Sequence, residues 1–530
     1  MEGRVFHRGA VQALAPEDSQ LTARLSSLVR KELVRPDKSE LAGEDAFRFR
    51  HLLIRDAAYD GLPKAARAEL HERFADWLAE HGRDLVELDE ILGYHLEQAC
   101  RFRAELGVAD DGSLAVAALR RLEAAGRRAL LRDDVPAAVN LLQRALALVP
   151  SDRFETILEV DLLEAVFVSG RVGDAYSLAA GSVARAVATG DRAGELCARI
   201  ELASLRGYVE PKGAAEQLAA IVDEALPVFE ASGYDFGLYV CYFGLFQVAH
   251  MRGRMDSARD ALERALVHAE RVGLPHLVVR LAPAAGAARL FGSTPATELL
   301  AWLDEEDRRG TSAPGWEMHR AQALAMVGRS AEARSLLSDS RAQLADRGSM
   351  IPLALATGHT SVEVELLAGD PAAAVELGVE GCRLLEQAGE QGWLSTAVGY
   401  LAEALYQLDR LNEADEAAGR AAELGASDDA ITQMLWRQVR AKVLARRGDA
   451  LESERLAREA VAIGAETDLL DGRGDTHADL AEVLILAGRD DEAQAALQEA
   501  LTLFELKGNV VTAERMNARL RGLRRADWLD

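Results

Sequence analysis

Aromatic side chains supply only 5% of the 530 residues, so the apolar load falls on Ala, Leu and Val, which favour closely packed helices over a sheet sandwich. The four cysteines, Cys100, Cys197, Cys241 and Cys382, lie far apart and form no CxxC pair. They read as reduced, mostly buried thiols of a cytosolic protein. Eleven histidines are scattered, none paired at i, i+3 or i+4, so no helical metal site is expected. His71-Glu72 lacks the second histidine of an HExxH motif, because Ala75 stands where it is needed; His71 reads as a structural polar residue. No run of 18 apolar residues predicts a membrane span. The start, Met1-Glu2-Gly3-Arg4, has no apolar core of a secretory signal. Neither GxxxxGKS/T nor a GxSxG elbow occurs. Gly472-Arg473-Gly474-Asp475 reads as a loop before a helix, too short and without the preceding strand that a nucleotide site needs. No catalytic, cofactor-binding or metal-ligating residue is assigned.

At 57.3 kDa the chain exceeds one compact core, so several domains or a repeat array are expected. Apolar residues at 49% and charged residues at 28% suit a folded chain. The formal net charge of −25 repels phosphate backbones and disfavours nucleic acid as a partner of the whole surface. The charge is uneven: residues 1–80 hold 13 basic and 14 acidic groups, close to neutral.

One phrase recurs: Gly170-Arg171…Ala175, Gly253-Arg254…Ala258, Gly328-Arg329…Ala333, Gly369-Asp370…Ala374 and Gly488-Arg489…Ala493. Weaker copies start at Asp133, Asp409 and Gly448, and irregular ones at Gly207 and Gly292. A spacing near 40 residues is that of a helical-hairpin array. In the last copy Leu480, Ala481, Leu484 and Ala487 share one helix face, Gly488 is placed to cap that helix in a left-handed conformation, and Ala493, Leu497, Ala500 and Leu501 follow at i, i+4, i+7 and i+8. The expected fold is all-α: about ten hairpins that bury their faces only by stacking, preceded by a small domain.

These residues resemble the tetratricopeptide repeat, with its glycine turn and small residues at the helix crossings, though at nearer 40 than 34 residues. Upstream, Gln20–Leu33 predicts a helix, Arg35-Pro36-Asp37 a break, Ala46–Arg50 a short strand, His51–Tyr59 a helix and Lys64–Glu80 another. Helix, strand, helix in a near-neutral unit looks like a winged helix. Phe49-Arg50-His51-Leu52-Leu53-Ile54-Arg55-Asp56-Ala57-Ala58-Tyr59, then Arg67-Ala68-Glu69-Leu70-His71-Glu72-Arg73, resemble a bacterial family that joins a cyclase or other output domain to a signal-transduction ATPase and then to tetratricopeptide repeats. Phe504-Glu505-Leu506-Lys507-Gly508-Asn509 with Ala513-Glu514-Arg515 is similar to its last repeat. The resemblance implies the domains 1–80 (winged-helix-like), 81–114 (helical linker) and 115–525 (repeat array). It also implies a chain that is either a fragment of such a protein or a stand-alone sensor half, since the ATPase and cyclase parts are missing.

Arg48, Arg50 and Arg55 read as packing residues with a minor prospect of phosphate contact, and the basic end Arg519–Arg525 is too short for a helix-turn-helix. Gly310–Gly315, flanked by Trp302 and Trp316, reads as a hinge. Tyr239, Tyr242, Phe243 and Phe246 fall on one helix face, either as bulky core between repeats or as an effector pocket on the concave side. The expected function is a non-catalytic, cytoplasmic sensor and protein-interaction scaffold without a cofactor, taking a protein partner or small effector in its groove and an ATPase domain in cis or in trans. The alternatives are a free-standing adaptor and a transcriptional regulator lacking its DNA-binding domain.

Overall fold

The computed structural model describes residues 3–39, 41, 43–108, 112–309 and 315–526. The chain divides into two compact units, Met1–Leu130 with Ala137–Leu158, and Leu131–Pro136 with Glu159–Asp530.

The first unit opens with β1 (Val5–His7), α1 (Arg8–Leu14), α2 (Leu21–Arg30), β2 (Val34–Asp37) and β3 (Ala46–Phe49). The three strands form an antiparallel sheet with β3 in the centre, Phe6 opposite Phe47 and Arg35 opposite Arg48. Pro36, expected to break the chain, instead sits in β2, an edge strand, where a missing N–H costs nothing. The helix expected to reach Leu33 stops at Arg30, because Glu32 turns to φ 55° and the Leu33 amide reaches back to the Leu28 carbonyl. Phe6 packs with Phe47, Phe49, Leu21, Leu25 and Val34. Next come α3 (Leu52–Asp60), α4 (Lys64–His81), α5 (Leu88–Glu105), α6 (Ser113–Leu131) and α7 (Val135–Leu146). Phe74, Trp77 and Leu78 of α4 share a core with Leu92 and Leu96 of α5 and with Leu114 and Ala118 of α6.

The second unit is a run of hairpins. They are α8 (Thr156–Val168) with α9 (Val172–Thr189), α10 (Arg192–Val209) with α11 (Ala214–Ser232), and α12 (Asp235–Met251) with α13 (Met255–Val272). Then follow α14 (Pro275–Phe291) with α15 (Ala296–Arg309), and α16 (Trp316–Met326) with α17 (Ser330–Arg347). In the next pair α18 (Met350–Leu355), a π-turn at Ala356–Thr360 and α19 (Ser361–Ala368) make one helix, which packs on α20 (Pro371–Ala388). The array ends with α21 (Gly392–Gln407) and α22 (Leu411–Leu424), α23 (Ala430–Arg446) and α24 (Ala450–Ala465), α25 (Leu470–Leu486) and α26 (Asp490–Lys507), and a final α27 (Val510–Ala526). Gly170, Gly253, Gly328, Gly369, Gly448 and Gly488 all take φ between 65° and 87°, and where the copy is weaker Asp133 and Asp409 adopt the same left-handed turn. Gly207 is a correction. It lies inside α10, and the turn that follows is made at Gly213, φ 73°. In the second helices Ala258, Leu262 and Ala265, and likewise Ala493, Leu497, Ala500 and Leu501, are buried as their spacing predicts. Within this unit segments more than 200 residues apart are joined by hydrogen bonds. The Asp468 carboxylate accepts from the amides of Met255 (2.6 Å) and Asp256 (2.8 Å), and Lys507 Nζ donates to the carbonyls of Gly292 (2.8 Å) and Thr294 (2.7 Å).

Candidate functional site

The first helix of each hairpin in the second unit carries polar groups among apolar neighbours, and these groups converge. On α8, Asp161 lies 2.7 Å from His276 of α14, and Glu164 pairs with the Arg280 guanidinium of α14 at 3.0 Å. Glu201 of α10 stands 3.8 Å from the same guanidinium, which lies over the Phe243 ring of α12. Burial works against the Arg280 charge, but Glu164, Glu201 and Asp161 outweigh it and hold the guanidinium protonated. Burial also raises Glu201, against the pull of Arg280. The Tyr239 side chain is fully buried, its phenol pushed up by desolvation and so neutral. Its hydroxyl, Arg280 Nε, Gln247 Oε1 on α12 and His319 Nδ1 on α16 find no hydrogen-bond partner among the described residues. Each such orphan is costly unless something unseen completes it.

A second patch lies on α25, where Asp471, Asp475, Asp479 and Glu482 recur near four-residue spacing. Lys442 of α23, almost wholly buried, bridges Asp479 at 3.0 Å and Glu403 of α21 at 2.7 Å. Desolvation raises Asp479 to about 7 and lifts Asp475 well above the carboxylate range, with Asp471 and Asp479 adding repulsion. Asp475 nevertheless presents solvent-accessible surface. Beside it Glu363 of α19 accepts from Gln322 at 2.7 Å and is pushed up to about 8 by burial. Carboxylates outnumber cations along these inner helices.

Of the aromatic residues singled out in sequence, Tyr239, Phe243 and Phe246 run along one side of α12, with Tyr239–Phe243 centroids 6.4 Å and Phe243–Phe246 centroids 5.6 Å apart. Tyr242 diverges toward α13, stacking on His268 at 5.6 Å. Gly472–Asp475 is a correction: it is helix, the first turns of α25, and not a loop. Gly474 is required because Phe504 packs over it, and a Cβ there would come within 2.7 Å of the ring. Arg48, Arg50 and Arg55 each meet a carboxylate, of Asp37, Glu32 and Asp56. His71 is buried and shares a proton with His95, Nδ1 to Nδ1 2.8 Å, with Tyr59 on its other nitrogen at 2.9 Å. The hinge at Gly310–Pro314 lies outside the described residues; the flanking Trp302 and Trp316 pack 5.1 Å apart. Among the described residues no group of three metal-ligating side chains occurs, and no helix is long and apolar enough to cross a membrane. Asp161, Glu164, Glu201 and Arg280 were not legible in sequence as a group, since 115 residues separate Asp161 from His276.

The stacked hairpins, with their left-handed turns and small residues at the crossings, make this an α-solenoid of the tetratricopeptide type, with a three-stranded sheet near its start. No protein-family model and no curated protein matches the sequence. Among solved structures, the chain is similar to the Rap protein complexed with Competence and Sporulation Factor at 14% identity and TM-score 0.47, over 68% of this chain and 100% of that one. The Cut9-Hcn1 hetero-tetramer of APC/C gives 14% identity and TM-score 0.49, over 91% and 79%. A signal-transduction ATPase with a tetratricopeptide repeat sensor from Pyrococcus horikoshii gives 15% and 0.28, over 98% and 63%. Nothing about function passes across likenesses of this size; the fold is read from the helices themselves.

Proposed function

We propose that this chain is a non-catalytic regulatory scaffold, the sensor half of a signalling ATPase or adenylate cyclase-type regulator, which takes a positively charged partner segment or effector against the inner helices of its second unit. The observation that carries the reading is the run of acids there, Asp471, Asp475 and Asp479 on α25 with Glu403 and Glu363 near them, which outnumber the buried cations Lys442 and Lys507. Crowded carboxylates repel one another and gain when a cation enters. In this reading residues 1–80 form a winged-helix-like relay, supported by the β1-α1-α2-β2-β3 order. Residues 81–114 link it to the array, and the protein works in the cytoplasm. Helix α3 has no buried residue and presents Leu53 at 79% exposure, a face suited to an ATPase domain.

The test is fluorescence anisotropy with labelled peptides of equal length and opposite charge. Lysine-rich peptides bind, more weakly as salt rises, and Asp475→Asn with Asp479→Asn weakens them at least tenfold. Equal binding of acidic and basic peptides refutes the reading.

A further inference from the structure

The patch around Tyr239 and Arg280 has a hydrogen-bonding deficit whose pattern selects a ligand. Two donors find no acceptor among the described residues: the Tyr239 hydroxyl, on a side chain with no exposed surface, and Arg280 Nε–H. Both ask for an acceptor oxygen. The charges ask for the opposite. Asp161, Glu164 and Glu201 surround Arg280 and His276, and Glu164 keeps 27% of its side chain accessible. A lone carboxylate ligand would satisfy the donors but meet three acids. A lone amine would pair with the acids but leave the Tyr239 and Arg280 donors empty, and unsatisfied buried donors weigh heavily at low local dielectric.

We propose that this patch binds a free α-amino group together with the carbonyl oxygen beside it, as carried by a free amino acid or by the N-terminus of a peptide. The carbonyl oxygen accepts from Tyr239 and Arg280, and the ammonium, charged near neutrality, lies against Glu164 and Glu201. Phe243, under the Arg280 guanidinium, and Phe246 give the adjoining side chain an apolar floor. The proposal rests on the inner helices being the ligand-facing surface.

Thermal melting and calorimetric titration of the full chain test it, with three probes: the twenty amino acids singly, tetra-alanine with a free N-terminus, and the same peptide N-acetylated. A free-amine probe raises the melting temperature and the acetylated peptide does not. Binding by amino acids assigns the site to a metabolite, and binding by the free peptide alone assigns it to an N-terminus. Tyr239→Phe and Glu164→Gln each weaken the binding tenfold or more, while ligand-free Tyr239→Phe melts at or above the wild-type temperature because a vacant hydroxyl has been removed. The proposal falls if no free-amine probe shifts the melt, or if acetylation leaves affinity unchanged. It falls equally if Tyr239→Phe binds normally or lowers the ligand-free melting temperature, which would mark the hydroxyl as held by an internal water. Failure here, with salt-sensitive binding of lysine-rich peptides intact, would leave the scaffold reading standing.

Discussion

Lys507 offers the most direct test of how the second unit holds itself together. Its side chain has no exposed surface, and its Nζ donates to the carbonyls of Arg289 (3.1 Å), Gly292 (2.8 Å) and Thr294 (2.7 Å). An ammonium has three donors, and all three are used. Arg289 lies in the last turn of α14, where carbonyls have no partner within the helix and the helix dipole is negative. Desolvation pushes the amine down to about 8, with Asp471 opposing, so it keeps its proton at pH 7. Replacement by Met preserves the bulk and removes the charge. Three orphaned carbonyls cost about 1–3 kcal/mol each, and release from burying an ammonium returns several kcal/mol. The expected net loss is about 3 kcal/mol. Over a unit of this size that moves the melting midpoint by only about 4 °C, so the sharper readout is amide hydrogen exchange. Lys507→Met accelerates exchange around residues 288–296 and 504–510 and spares α22–α24. An unchanged midpoint together with unchanged exchange at 288–296 would refute the account of this contact.

Asp468→Ala uncaps α13, which has no side-chain cap of its own, costs about 1–2 kcal/mol and raises exchange at Met255 and Asp256; a neutral outcome would remove this contact from the fold's support. Gly381→Ala is destabilising by more than about 2 kcal/mol, since its Cβ would stand 2.1 Å from the Gly358 Cα beside the π-turn, whereas Gly419→Ala, mid-helix in open space, stabilises by roughly 0.5–1 kcal/mol; urea midpoints separate the two. The second unit gains stability on mild acidification. Burial holds Glu363 and Glu390 at about 8 against an ordinary 4.5, so the folded state binds more protons between those values and stability falls as pH rises through that window, by about 1.4 kcal/mol per unit for each group. Melts at pH 6.5 and 8, above the range where His250, His319 and His359, depressed to about 4 by burial, oppose the trend, check the sign, and Glu390→Gln flattens the slope. In the first unit the signs reverse. Burial depresses His71 to about 4 and His95 to about 3, the unfolded chain binds more protons below 6.5, and stability falls as pH drops toward 4. Trp77 fluorescence during acid titration, with His71→Phe/His95→Phe as the insensitive variant, reads it out.

The repeat was legible because its cause is local. A left-handed turn wants glycine, and a helix crossing wants Ala at 258, 493 and 500, whatever lies further along the chain. The site was not, because its cause is remote. In sequence Asp475 falls in an apparent loop, and Glu363 and Glu403, whose charges bear on these acids, lie on helices far back in the chain. Gly472–Asp475 misled for the same reason: two glycines signal a loop until Phe504, thirty residues on, is seen to fill the space above Gly474. Tyr239 was reached through its ring; that its hydroxyl stands alone could only come from coordinates.

The contacts that join distant segments of the second unit follow one electrostatic rule. The Asp468 carboxylate meets the amides that open α13, the positive end of a helix. The Lys507 ammonium meets carbonyls in the last turn of α14 and just beyond it, and Arg515 Nη2 meets the Leu366 (3.2 Å) and Leu367 (2.6 Å) carbonyls that end α19, the negative ends. Each is a helix cap supplied from a distant segment, of the sign the dipole demands. Apolar stacking between neighbouring hairpins sets local order but leaves free how far successive hairpins wind before meeting. Caps supplied from afar select one winding, since a shift of one turn would bury Lys507 against no acceptor. The same winding crowds Asp475 and Asp479 beside Glu403 and seats Arg280 beside Glu164. Specific long-range capping and a charged inner surface are therefore two results of a single geometric choice.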